Sequence, residues 1–219
     1  QEDPVQDFLR ARWSPHVQEI RTSGVGNVSA KVGGQGPKLL ITAHADEIGV
    51  LVRSISDDGM VWLAPKNALT GRPGRDTHYL GHPCAIQTAK GIVSGVFVAV
   101  SGHVTPPALL AKDILGWSDF WVDIGAKSAE EAAEWGVEIG DGVVWAPETR
   151  QVGHYIVGKA MDDRAGLAIM TALLERLDPA TLKYELTLAS TVQEEIGLVG
   201  AFSLERDERY DLAIAIDVG

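Results

Sequence analysis

Two adjacent glutamates, Glu194 and Glu195, follow an apolar run in the segment STVQEEIGLVG. Neighbouring carboxylates repel one another, so a protein that keeps both ionised needs a compensating positive charge. A bound divalent cation is one source of that charge, because it stabilises the ionised form of nearby acids. The pair therefore suggests that other side chains lie nearby and could complete a cation site.

Three more polar clusters stand at the ends of apolar segments. They are His44 and Asp46 after LLITA, Asp162 and Asp163 after IVGKAM, and Asp217 near the end of LAIAIDV. In open α/β sheets, ligands bind outside the carboxyl ends of the strands, so clusters that are distant in sequence can converge there. One histidine with several carboxylates suits a divalent ion such as zinc, cobalt or manganese.

Each cluster taken singly has a simpler structural interpretation. A lone histidine after a strand is more often a hydrogen-bonded structural residue, and Asp162 or Asp163 could be a helix N-cap. The glutamate pair could lie in a solvated turn, and Asp217 could cap a helix. The occurrence of all four clusters at strand ends favours a shared metal site over these separate interpretations.

The spacing within two clusters predicts different roles for their members. His44 and Asp46 are two residues apart, so on an extended chain they point to the same face. His44 could bind a metal while Asp46 supports its ring from behind. Glu194 and Glu195 point in different directions, so one could be a ligand while the other faces a metal-bound water.

The elements that must position these clusters belong to a segmented α/β domain at residues 1–49 and 152–219. Helical segments alternate there with apolar strands, which predicts a mostly parallel sheet flanked by helices. The apolar runs KLLITA and DLAIAIDV are typical of buried strands. Apolar residues at helical spacing predict two helices, with the stripes Val5, Phe8 and Leu9, and Leu167, Met170, Leu174 and Leu177.

Residues 50–151 have a different sequence pattern, and the simplest interpretation is an insertion into the α/β domain. Short apolar stretches are separated there by Gly, Pro, Asp and Asn, which predicts a small β-rich barrel or sandwich. One helix interrupts the strands, with Ser128 as its N-cap, Glu131 completing a capping box and Gly136 ending it.

Composition excludes several classes of protein. Thirty acidic residues against nineteen basic ones give a net charge of -11, so nucleic acid and anionic membranes are unsuitable partners. The single cysteine, Cys84, rules out an internal disulfide framework and is expected to be a buried apolar residue rather than a catalytic thiol. No apolar run reaches the about 18 residues of a membrane helix, and no signal peptide is visible, so the expected location is cytoplasmic. Both ends of the sequence fall abruptly beside predicted elements, and we expect further sequence at both.

Four motifs in this order resemble one known family. AHADEIG, GKAMDDRAG, STVQEEIGLVG and AIAIDVG are similar to motifs of the tetrahedral aminopeptidase and glutamyl aminopeptidase family, some of whose members are labelled endoglucanases. WVDIGAKSAEEAAEWGVEIGD resembles a segment of that family's inserted domain. The resemblance covers nearly all of the chain and implies a metallo-exopeptidase-like α/β fold whose insertion serves dimerisation.

The resemblance also implies two divalent metal ions per subunit, zinc or cobalt in the first place and manganese as an option. His44 and Asp217 resemble the ligands of one ion, Glu195 resembles a ligand of the other, and Asp162 resembles the carboxylate that bridges them. The family's second metal-binding histidine lies on a downstream segment without a counterpart here. None of the remaining histidines stands in a matching context; they are His16, His78, His82, His103 and His154.

The implied activity is the removal of N-terminal residues from peptides by a water bound between two metals. Glu194 resembles the general base, and Asp46 resembles the partner that orients His44. A cis peptide bond is expected between Asp162 and Asp163. The family commonly forms dimers that assemble into twelve-subunit shells, so self-association is expected as well.

Two other functions remain open from the residues. A carbohydrate hydrolase could use paired carboxylates about 5–9.5 Å apart, but it would leave the His44 and Asp46 cluster without a role. A non-catalytic assembly subunit could keep the same fold without a complete metal site.

Overall fold

The computed structural model describes residues 2–65, 79–100, 104, 107–110 and 116–218. The chain divides into two compact units, which we call the α/β unit, Gln1–Glu47 with Ala160–Gly219, and the barrel unit, Ile48–Lys159. The domain limits inferred from sequence stay a prediction. The barrel unit continues further along the chain than the predicted insertion, which ended at residue 151.

The α/β unit begins with a helix and three strands. They are α1 (Asp3–Trp13), β1 (Glu19–Thr22), β2 (Val28–Gly33) and β3 (Lys38–His44). A proline in the first turn starts α1, where its missing N–H costs no hydrogen bond. The helix buries Leu9 and Trp13, whereas Phe8 is 65% exposed. The buried stripe therefore differs from the sequence pattern, because it continues through Trp13 instead of Phe8.

The barrel unit contains eight strands and two short helices among its described residues. They are β4 (Val50–Ile55), β5 (Val61–Pro65), β6 (Pro83–Thr88), β7 (Gly91–Val98), α2 (Pro107–Leu110), β8 (Trp121–Asp123), α3 (Ala129–Glu134), β9 (Gly142–Trp145), β10 (Arg150–Val152) and β11 (Tyr155–Val157). Six of them close into an antiparallel barrel in the order β4-β5-β8-β7-β6-β9, while β10 and β11 form a separate hairpin. The predicted β-rich barrel is confirmed.

Local signals in the barrel unit act largely as predicted. Ser128 Oγ accepts a hydrogen bond from the backbone N–H of Glu131 at 3.2 Å, so it caps α3. The Glu131 carboxylate accepts from the N–H of Lys127 at 2.7 Å, one residue before the position a capping box would use. Cys84 lies in the barrel core, and burial raises the pKa of its thiol to about 12. A nucleophilic role for this thiol is therefore disfavoured.

The chain then completes the α/β unit with α4 (Met161–Leu174), β12 (Glu185–Thr191), α5 (Val199–Asp207) and β13 (Leu212–Ala215). The five-stranded sheet has the order β1-β2-β12-β3-β13. Strands β12 and β13 are parallel to β3, whereas β1 and β2 run antiparallel to their neighbours. The sheet is therefore mixed, and its parallel part is the three strands that end at the candidate site.

Helices on the sheet confirm one predicted stripe, while the last strand corrects another prediction. Leu167, Met170 and Leu174 of α4 are buried in one core cluster with α1, and Leu177 packs against it. Strand β13 was expected to be buried, but all four of its residues are exposed. It lies last in the sheet order and pairs with β3 on one side. Within the described part of the chain, no helix is both long and apolar enough to cross a bilayer.

Candidate metal centre

The register of the parallel strands brings three polar clusters to one edge of the sheet. Thr191 at the end of β12 pairs with His44 at the end of β3, so the loop with the two glutamates begins beside Ala45. Ala215 of β13 pairs with Thr42, and Ile216 N donates to Thr42 O at 2.8 Å. Asp217 therefore leaves its strand level with His44.

His44 lies at the centre of this cluster. Its Nε2 is 2.9 Å from Oδ1 of Asp162, at the start of α4, and 3.9 Å from Oε2 of Glu194. Its Nδ1 is 3.3 Å from Oδ1 of Asp46, without the alignment of a hydrogen bond, and has no hydrogen-bond partner among the described residues. The ring is 3% exposed, so its two nitrogens are fixed between carboxylates.

Asp46 connects His44 to the glutamate pair through the backbone. Its Oδ1 accepts from the N–H of Glu194, and its Oδ2 accepts from the N–H of Glu195, both at 3.0 Å. One buried carboxylate thus orients two consecutive backbone amides and faces the imidazole. This explains how two neighbouring glutamates are held in defined positions at the end of a strand.

Asp163 and Arg164 form hydrogen bonds beside the cluster, and the sequence patterns did not predict these contacts. The Asp162–Asp163 peptide bond is cis, as expected. The fully buried Asp163 carboxylate accepts from Gly166 N at 3.0 Å and from His44 N at 3.4 Å. Arg164 donates to Ala45 O at 3.1 Å and to the carboxylate of Glu47 at 3.2 Å. The only sequence signal was their place inside MDDR.

The geometry offers two groups of three potential metal ligands, and both include His44. One group is His44, Glu194 and Glu195, and the other is His44, Asp162 and Asp217. Within each group, one ligand atom per residue lies within 4.8 Å of the others. A mixed set of one imidazole and carboxylate oxygens fits zinc, cobalt or manganese. The carboxylates crowded around the buried Nε2 of His44 agree with a site that a cation completes.

The charges around His44 favour its protonated form when no cation is present. Burial opposes protonation, but the contacts with Asp46, Asp162 and Glu194 outweigh it and raise the pKa of His44 to about 9. Burial also opposes ionisation of Asp46, yet His44 and the two backbone amides keep its pKa below the ordinary value. When no metal is bound, a proton on His44 therefore supplies the positive charge that balances the surrounding carboxylates. A bound metal would supply that charge instead.

The glutamate pair shows the repulsion that its sequence suggested. Burial, followed by the carboxylates of Asp162 and Glu194, raises the pKa of Glu195 to about 7. Burial is also the first cause that raises the pKa of Glu194, where the charge of His44 opposes the shift and nearby aspartates add to it. Without a cation, full ionisation of both acids is therefore disfavoured.

All six residues singled out from the sequence meet at this edge: His44, Asp46, Asp162, Glu194, Glu195 and Asp217. Their catalytic and ligand roles stay a prediction. Of the other histidines, His16, His82 and His154 belong to neither ligand group. His78 and His103 lie outside the described residues. No second histidine joins the groups found among the described residues.

Comparisons with known proteins place the chain among aminopeptidases. Residues 26–219 match the profile of the M42 glutamyl aminopeptidase family. The chain is 32% identical over 231 residues to a glutamyl aminopeptidase of Lactococcus lactis, covering 99% of the chain and 61% of that protein. It superposes on an aminopeptidase from the archaeon Desulfurococcus kamchatkensis with a TM-score of 0.87 and 32% identity, over 100% of the chain and 58% of that structure.

A third similar protein is the TET1 peptidase of Pyrococcus horikoshii, whose structure is described as assembling into a tetrahedron or a large octahedral shell. The TM-score is 0.83 at 29% identity, with coverage of 99% of the chain and 63% of that structure. The chain thus spans about three fifths of the length of the relatives that it matches.

Proposed function

Because this chain belongs to the M42 glutamyl aminopeptidase family, we propose that it is the site-bearing part of a metal-dependent aminopeptidase. The proposed reaction is hydrolysis of the first peptide bond of a peptide. The observation that carries the proposal is the pair of three-residue ligand groups that share the buried His44. A carbohydrate hydrolase with paired carboxylates would have no use for that imidazole, and no contact of the site among the described residues favours it.

The proposed ligands are His44, Asp162 and Asp217 for one ion, and Glu195 with the bridging Asp162 for a second. When bound, divalent ions supply Lewis-acid polarisation of a carbonyl and lower the pKa of water. Asp46 would keep the imidazole oriented while holding the backbone of the glutamate loop. The family's second histidine ligand has no counterpart among the described residues, so the first ion has the more complete protein site.

Glu194 is proposed as the general base. Its Oε2 lies 3.9 Å from the His44 Nε2, so its carboxylate reaches the ligand cluster, while its backbone is fixed by Asp46. Its pKa is raised by burial and by neighbouring acids, which moves it toward the range where a carboxylate accepts and returns a proton near neutral pH. In this role it would take the proton from the attacking water and deliver it to the leaving amine.

Chelation followed by metal readdition tests the proposal directly. The full-length protein should lose hydrolysis of aminoacyl substrates after exhaustive chelation and regain it with Zn²⁺, Co²⁺ or Mn²⁺. A panel that varies the first residue would also identify the preferred substrate. Activity that is insensitive to chelators would contradict a metal-dependent reaction, and failure to bind any of the three ions would support a non-catalytic subunit.

We also propose that the barrel unit serves self-association into dimers, with a dodecameric shell as the larger assembly. The support is the similarity of the whole chain to the TET1 peptidase, a protein described as assembling into a tetrahedron or a large octahedral shell. Light scattering coupled to size-exclusion chromatography measures the mass of the full-length protein. A monomer at micromolar concentration would contradict this proposal without affecting the metal site.

A further inference from the structure

A buried asparagine outside the predicted site contacts both ends of the glutamate loop. Asn27 precedes β2 and is 0% exposed. Its Oδ1 accepts from the N–H of Val192 at 3.1 Å, and its Nδ2 donates to the carbonyl of Gly200 at 2.8 Å. The same Nδ2 donates to Ser203 Oγ at 2.9 Å. One amide side chain therefore satisfies groups before and after the loop.

The segment between Val192 and Gly200 is the loop that carries Glu194 and Glu195. Its two ends are joined by a hydrogen bond from Gly200 N to Val192 O at 3.0 Å. Above this base, the loop is held by Asp46 through the N–H groups of both glutamates. The position of the glutamates thus depends on two anchors, Asp46 near the ligands and Asn27 at the base of the loop.

We propose that Asn27 is a positioning residue for the reaction. By fixing the two ends of the loop, at Val192 and Gly200, it sets the position and orientation of Glu194 and Glu195. The inference rests on the proposed function for its catalytic meaning. Asn27 acts through Val192 and Gly200 and touches neither glutamate in the contacts described. An asparagine suits this position because its side-chain amide has both an acceptor and a donor. The oxygen accepts from the buried N–H of Val192, and the nitrogen donates to the buried carbonyl of Gly200.

The close packing around Gly200 is a second observation that Asn27 and the two ends of the loop are held together. A Cβ at this position would lie 2.4 Å from Val192 O, 2.5 Å from Asn27 Oδ1 and 2.6 Å from Val192 N. Two of these are backbone atoms, so a side chain at position 200 must move the loop base. Glycine at this position is therefore required for the close approach of Asn27 and the two loop ends.

The experiment compares Asn27→Asp and Gly200→Ala with wild-type full-length protein. Asn27→Asp keeps the shape but replaces the donor to Gly200 O by a carboxylate oxygen. Thr171→Ala is the matched control, because it removes the hydrogen bond from Trp13 Nε1 (2.9 Å) in the same unit, away from the loop. Titration with Co²⁺, its visible absorption spectrum, and amide exchange of residues 193–195 are measured alongside thermal stability.

We expect Asn27→Asp and Gly200→Ala to weaken Co²⁺ binding about 10-fold or more, change the Co²⁺ spectrum and speed amide exchange in the loop. Thr171→Ala should lower thermal stability and leave all three unchanged. If both loop variants behave as Thr171→Ala does, Asn27 is only structural and the inference is overturned. If Asn27→Asp fails to fold, Gly200→Ala decides. If wild type binds no Co²⁺, the proposed function fails, and amide exchange still decides whether Asn27 positions the loop.

Discussion

The two ligand groups that share His44 differ in how firmly the protein holds them. On the glutamate side, two backbone amides are fixed to Asp46 at 3.0 Å, and the glutamates are partly buried. On the aspartate side, Asp162 and Asp217 are exposed. Partial burial raises the pKa of both glutamates, with Glu195 reaching about 7. The glutamate side is thus preorganised at an electrostatic cost, which a bound cation would offset.

Because the protein holds the two groups differently, they should respond differently to substitution. Loss of an exposed aspartate removes a ligand, whereas a change near the glutamates also releases a buried carboxylate and its backbone contacts. His44 belongs to both groups and should have the largest effect of all.

Replacement of His44 by alanine should abolish binding of the ion that His44, Asp162 and Asp217 are proposed to hold. Elemental analysis after dialysis measures the metal content, and activity should fall below detection. His154→Ala is the matched control, because this exposed histidine lies in the barrel unit outside both groups. Full metal content in His44→Ala would remove His44 from the ligand set.

Glu194→Gln separates base chemistry from metal binding. The neutral amide keeps the shape but cannot accept a proton, so turnover should fall about 10²–10⁴-fold with metal content unchanged. Steady-state kinetics with elemental analysis provides the measurement. Glu131→Gln, which alters a carboxylate–backbone contact of α3, should leave turnover at the wild-type value. Normal turnover in Glu194→Gln would exclude it as the base.

Asp46→Asn tests the link between the two sides. An amide has one oxygen, so the N–H of either Glu194 or Glu195 loses its acceptor, at a cost of about 1–3 kcal/mol in stability. Metal affinity should fall about 10–100-fold. The control is Asp141→Asn, whose carboxylate accepts a single N–H from Glu138 at 2.9 Å in the barrel unit. Unchanged Co²⁺ affinity in Asp46→Asn would mean that the link does not matter for binding.

The smallest effect should be a pH dependence of the metal-free protein. The pKa of His44 is raised from 6.5 to about 9, so its stabilising contribution is complete below pH 6.5 and is lost as pH rises through 9. The pKa of Glu195 is raised from 4.5 to about 7, so stability also decreases between these values as its carboxylate ionises. Thermal melts with chelator should therefore give a lower Tm at pH 9 than at pH 6.

Metal should remove that pH dependence, since a bound cation replaces the proton on His44 and stabilises ionised Glu195. The same melts with Zn²⁺ provide the control. A metal-free Tm that rises from pH 6 to pH 9 would contradict the shifts assigned to both residues.

The sequence predicted which polar side chains lie near one another at the end of the sheet, whereas the roles of these residues and the domain limits stay predictions. Polar residues directly after apolar strands identified the edge where His44, Asp162, Glu194 and Asp217 meet, because strand direction places such residues together. It also predicted the barrel from short apolar stretches. These signals are local, so a single sequence contains them.

What the sequence did not predict depends on long-range contacts. The antiparallel pairing of β2 with β12 is set by register between distant segments, so the sheet is mixed rather than mostly parallel. The apolar run of β13 predicts a buried strand, whereas its four residues are exposed in the part of the protein that this chain spans. Asn27 gave no signal, since its hydrogen bonds join residues that are 165 and 173 positions away.

The buried Cys84 is a natural chemical probe for local opening of the barrel unit. It is the single cysteine of the chain and is 1% exposed, so an alkylating reagent reacts only when the barrel opens around β6. Pulsed alkylation followed by mass spectrometry would therefore time the opening of this unit without any engineered label. The rate, measured with and without metal, would show whether the stability of the barrel is independent of a site that belongs to the other unit.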